Sequence, residues 1–175
     1  IERLQWHAGK GSERDSDGTS QVELTIRAAP DAPFRLVQWV LMAAADPHVR
    51  IDKVQFHVSR LPLRGPRDVR LPTDQGLTNE PAPQVSVRLV RRPADGPLEI
   101  TLEAPDREPE VLTWASLPVR LRAAGNLRTY FGSEPVGLLR VPPPGHVPFA
   151  EVTQALDIFR EAGIENVVFV GAPLR

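Results

Sequence analysis

"PFAEVTQALDIFREAGIENVVFV", residues 148–170, is the stretch on which the fold turns. Its Phe149, Val152, Leu156 and Phe159 recur three, four and three residues apart, the spacing that lines one face of an α-helix. Gly163 follows as the residue type that tolerates a left-handed helix stop, and Ile164 is placed to fold back on the last turn. The valine-rich residues 167–170 then read as a short buried strand.

An echo lies 115 residues upstream in "PFRLVQWVLMAAADPHVRIDKVQFHV", residues 33–58. Phe34, Val37, Leu41 and Ala44 map at that offset onto Phe149, Val152, Leu156 and Phe159. Ile51, Val54 and Phe56 map at an offset of 113 onto Ile164, Val167 and Phe169. Each helix is preceded by a strand-like run and a proline-bearing turn: "QVELTIRAAPDAPF" (21–34), where Val22, Leu24 and Ile26 alternate with polar residues, and "VGLLRVPPPGHVPF" (136–149). Both copies therefore read as strand, helix, strand. Pro33 is expected in the first helical turn, where its missing N–H costs nothing.

Between the copies, "PQVSVRLVRR" (83–92) and "PLEITLEAP" (97–105) alternate with period two, and the "PADG" joining them predicts a hairpin. "TWASLPVRLRAAG" (113–125) predicts a short helix with Leu117 and Leu121 inward and Gly125 as its stop. The proline-rich connector 59–83 is expected to be an excursion over the sheet edge. Its Arg60, Arg64, Arg67 and Arg70 make either a solvated loop or a basic patch for an anionic polymer. The fold class expected is α+β, a mixed sheet or sheets with helices packed on one face and two βαβ-type units. Three segments follow: a tether over 1–20, a first, partial repeat with its connector over 21–83, and a C-terminal unit over 84–175.

Chemistry is sparse. With 21 basic and 22 acidic residues and a net charge of -1, nothing in the overall field favours nucleic acid as partner. There is no cysteine, which removes thiolate metal sites and thiol catalysis. His7, His48, His57 and His146 are scattered without metal-ligand spacing, and "GKGS" (9–12) lacks the strand and helix that a phosphate loop needs. No nucleophile elbow occurs, and Asp31, Asp46, Asp157 and Glu161 sit where carboxylates cap or solvate helices. No catalytic, cofactor-binding or metal residue is assigned, no cofactor is expected, and the chain is read as a non-enzyme. Trp39, across its helix from the apolar stripe, and Trp6 read either as contact residues or as side chains covered by another element. No stretch approaches the roughly 18–20 apolar residues that span a bilayer.

Residues 138–171 resemble the end of the extracytoplasmic domain of the ExbD/TolR biopolymer-transport family. The resemblance rests on the helix start at Pro148, Phe149 and Val152, the stop at Ala162, Gly163 and Ile164, and the final strand from Val167 to Val170. The hairpin strand 97–105, the short helix and the strand at 136–141 keep the family's order, so the likeness covers roughly residues 97–171. Residues 21–58 look like a second, partial copy, which departs from the family's single-copy pattern and would build internally the pairing that relatives make by dimerising. The resemblance implies the periplasmic part of an inner-membrane subunit working with an ExbB/TolQ-like channel in proton-motive-force-driven envelope transport. It also implies a TonB/TolA-like protein, peptidoglycan or a second copy (a homodimer) as what the domain touches. The family's proton-carrying aspartate lies in a membrane helix expected ahead of Ile1, so no residue of this chain inherits that role. The alternative reading is a stand-alone α+β binding or scaffold module unrelated to a proton channel.

Overall fold

The computed structural model describes residues 14, 16, 18–46, 48–58, 67–70, 84–93, 96–105, 107–125, 136–142 and 146–170. Strand β1 (Ser20–Ala28), helix α1 (Phe34–Ala45) and strand β2 (Ile51–Val58) come first, followed by β3 (Arg67–Arg70). Then come β4 (Gln84–Arg91), β5 (Leu98–Glu103), β6 (Glu110–Leu112), α2 (Leu117–Gly125), β7 (Val136–Arg140), α3 (Phe149–Glu161) and β8 (Val167–Val170). The strands form one mixed sheet in the order β1-β2-β3-β8-β7-β4-β5-β6.

Two parallel pairs, each joined through a helix, sit either side of β3. β1 pairs parallel with β2 across α1, and β7 pairs parallel with β8 across α3. Because β3 runs antiparallel to β2 and parallel to β8, the two βαβ units point in opposite directions, as an approximate two-fold rotation requires. β4 adds to β7 in parallel, and the β4–β5 hairpin and β6 complete the far edge by antiparallel pairing. All three helices lie on one face. Phe34 of α1 and Phe149 of α3 both meet the ring of Phe56 on β2, and α2 packs against α3 and β4.

The apolar stripes become the core as their spacing dictates. Phe34, Val37, Leu41 and Ala44 are buried on α1, as are Phe149, Val152, Leu156 and Phe159 on α3. Val85, Val87, Leu89, Ile100 and Leu102 face them from the sheet, with Leu117 and Leu121 of α2, in a cluster that draws on both halves of the chain. Among the described residues no helix is long and apolar enough to cross a membrane.

Four details depart from the sequence reading. The connector 59–83 contains β3, which lies inside the sheet and not over its edge; the rest of it is outside the described residues. Pro33 precedes α1 as its N-cap with an extended ψ of 126°, because its flanking groups bond to the other unit. Ile51 belongs to β2 instead of preceding it. The tether ends before 20: Thr19 and Ser20 are buried, and the Ser20 N–H donates to the Arg50 carbonyl, which draws this end into the sheet.

The two helices stop differently: α1 ends at Asp46 in an extended conformation with ψ 134°, and α3 at Ala162 in the helical region. After α3, the Ile164 N–H bonds to the Phe159 carbonyl and the Gly163 N–H to that of Arg160, the paired bonds of a Schellman stop, with Gly163 at φ +79°. At the corresponding place before β2, Arg50 holds φ +52°. An added Cβ at Gly163 meets nothing within 4 Å, so substitution there isolates the backbone term. Gly163→Ala is expected to lower stability by about 1 kcal/mol, and Gly163→Val by more, as read by urea titration. Unchanged midpoints would mean that the helix stop tolerates a side chain.

Candidate functional site

The first candidate region is the junction between the units. Helix N-termini leave N–H groups unpaired, and here each helix borrows a carbonyl from the other unit. The Phe34 N–H donates to the Val147 carbonyl and the Phe149 N–H to the Ala32 carbonyl, both at 2.9 Å, with Pro33 and Pro148 paired as an antiparallel bridge. Subtracting 115 from 149 and 147 gives 34 and 32, so the two bonds are the same bond made twice. The Ala150 N–H adds a third, to the Pro30 carbonyl.

Below the bridge, four phenylalanines fill the centre. Phe34 and Phe149 stack at 6.3 Å with 12° between ring planes. Phe34 reaches across to Phe169 at 5.1 Å, and Phe149 reaches across to Phe56 at 5.4 Å, which are equivalent contacts under the two offsets. Buried Gln38 strengthens the join, its side-chain amide donating to the Val141 carbonyl at 2.6 Å. This region is filled by buried side chains, and it is what holds the repeat together.

The second region is the outer side of α1. Leu36 is 58% exposed, Trp39 65%, Val40 37% and Met42 40%, and together with Ala43 they give this helix apolar residues all round. Of the two readings of Trp39, the structure favours a contact residue, since nothing described covers it; Trp6 lies outside the described residues. The sequence held a signal for the rest of this surface, because Leu36, Val40 and Ala43 are spaced i, i+4, i+7, a second helical stripe beside the core one.

The third region is an ion pair at the start of α3, where the Arg91 guanidinium at the end of β4 donates to a Glu151 carboxylate oxygen. Burial pushes the Glu151 carboxyl above its ordinary value, although the Arg91 charge and hydrogen bond pull the other way. The second carboxylate oxygen and the Arg91 Nε are buried without a partner. A carboxyl raised in the folded state binds its proton more tightly there than in the unfolded chain. Its contribution to stability is therefore complete below the ordinary glutamate range near about 4.3 and is lost as pH rises through the higher folded value. Measured against Glu151→Gln, the wild-type chain is expected to lose relative stability as pH rises across that window. A difference independent of pH would remove Glu151 as the cause.

No family model and no curated protein matches this chain. The site is therefore described from its own residues. His48 is exposed and His57 and His146 are half-buried on separate elements, while His7 and "GKGS" lie outside the described residues. Among the described residues, no three His, Asp or Glu side chains come together as a metal site would need. Asp46 ends α1 and accepts the His48 N–H at 2.8 Å. Arg67 and Arg70 fall within β3, and Arg60 and Arg64 outside the described residues.

Proposed function

We propose that the chain is the periplasmic portion of an ExbD/TolR-like subunit of a proton-motive-force-driven envelope complex, serving partner or cell-wall recognition and not catalysis. The observation that carries the reading is the C-terminal unit. Its Pro-Phe helix start, Ala-Gly-Ile stop and valine strand follow a hairpin and a short helix, in the order that the family resemblance implies. The βαβ pair at the junction supports the idea that one chain builds the twofold arrangement that single-copy relatives make from two. On this reading the partners are an ExbB/TolQ-like channel, reached through a membrane helix outside this chain, and a TonB/TolA-like protein or peptidoglycan at the periplasmic end.

Expression of the complete gene with its neighbouring ExbB/TolQ-like gene tests the proposal. The expected result is a membrane-anchored product that co-purifies with the channel protein in detergent. A product with no anchor and no such partner would favour the stand-alone scaffold instead.

A further inference from the structure

The sheet has two edges of unequal kind. β6 offers three residues, whereas β1 runs nine, from Ser20 to Ala28, with neither lysine nor proline, the residues that commonly guard an exposed edge. Ile51 holds the inner side of Ser20, so Arg14 bridges that residue from the outer side. At the other end Pro30 has no N–H to give a ladder. Among the described residues nothing pairs with the outer side of the stretch between these limits, residues 21–29, and Thr25 is its midpoint.

The midpoint is also a centre of chemical symmetry. An antiparallel copy of β1 centred on Thr25 sets Glu23 opposite Arg27, twice, on the solvent face. On the helix face it sets Leu24 opposite Ile26 and Val22 opposite Ala28, four side chains that are only half-buried against the core. Centring on Glu23 or Arg27 would bring like charges face to face, and centring on Leu24 or Ile26 would leave neither charge opposite its counter-charge. The edge is therefore complementary to itself in one register.

The same rotation reaches α1. Gln38 bonds to Val141 in the second unit, which marks the inward side of this helix. At 100° per residue, Leu36 and Val40 fall on the other side of the core stripe, toward the β1 edge, with Trp39 above them. Strands stand about 4.8 Å apart. A crossover helix centred over β1 and β2 is thus about 5 Å from the two-fold axis and about 10 Å from its copy, a separation at which helices pack.

We infer that a second copy of this chain pairs with β1 in the antiparallel register centred on Thr25. The pairing joins two eight-stranded sheets and covers Leu36, Trp39 and Val40 of each α1 with the same side chains of the other copy. It needs no membrane partner and so stands apart from the envelope reading.

Sedimentation equilibrium of the full chain tests the pairing. Glu23→Arg, an exposed change, is expected to weaken the dimer tenfold or more, because both symmetric pairs become like-charged. Glu23→Arg/Arg27→Glu, which makes the pairs opposite again, is expected to recover it, and Val40→Glu should weaken it as Glu23→Arg does. Because the chain has no cysteine, Thr25→Cys gives each copy a single thiol at the axis. On oxidation it is expected to form a disulfide-linked dimer about tenfold or more faster than Val111→Cys, an exposed position on β6. A chain that sediments as a monomer at every concentration would overturn the proposal. So would a double exchange that fails to recover association, a Val40→Glu chain that associates as tightly as the wild type, or equal crosslinking of the two cysteine variants.

Discussion

Phe149→Ala is expected to destabilise the protein by about 3–5 kcal/mol, read as a fall in the urea midpoint. The ring is fully buried and lies in the centre of the molecule, stacked on Phe34 and edge-on to Phe56. Each such aromatic pair adds about 0.5–1.5 kcal/mol beyond simple burial, which places the expected loss in the upper part of the range. The cavity opens between the two units, so fluorine-labelled tryptophan at Trp39 and at Trp114 should report the same lowered midpoint. Phe34→Ala should behave alike, and the double variant should cost less than the sum because the two rings share a contact. A Phe149→Ala loss below about 1 kcal/mol would show that the ring does not fill the junction.

Phe159→Ala is expected to cost about as much, 3–5 kcal/mol, for a different local reason. The ring rests on Gly137 of β7, where an added Cβ would lie 2.8 Å from Phe159 Cε1 and 3.1 Å from Ile164 Cγ2. Gly137→Val alone should therefore cost about 1–3 kcal/mol through overpacking. The corresponding pair in the first unit, at the 115 offset, is Val22 with Ala44: large on the strand, small on the helix. Combining Gly137→Val with Phe159→Ala copies that arrangement into the second unit. The double variant should be more stable than the two separate losses predict, and strict additivity would mean that the ring does not lie over Gly137.

The periodic parts of this fold were open to reading before the structure. The stripes of α1 and α3, the alternation of β1, β4 and β5, and the stop at Gly163 follow from spacing and from one residue type. β3 was hidden for a physical reason. "RDVR" offers a single apolar residue in four, so no period exists, and the strand forms because edges of β2 and β8 are there to receive it. Arg50 was hidden because its positive φ falls on a residue that gives no conformational hint. The echo itself was legible, but that its two Pro-Phe turns bond to each other is a long-range fact that local pattern does not carry. At the outer flank, the position of Trp39 opposite the stripe was readable, whereas its exposure beside Leu36 and Val40 became visible only in the fold.

The place of β3 has a mechanical consequence. Among the described residues it holds β2 through four consecutive register pairs and β8 through one, Arg70 with Val168. Along the described part of the sheet two sets of strands thus meet at β3, and across the helices the Pro33–Pro148 bridge and the phenylalanine stack tie the same two sets together. Among the described pairings, a load that shears the strands would meet fewest register pairs between β3 and β8, with the Pro33–Pro148 bridge as the pivot about which the two sets turn.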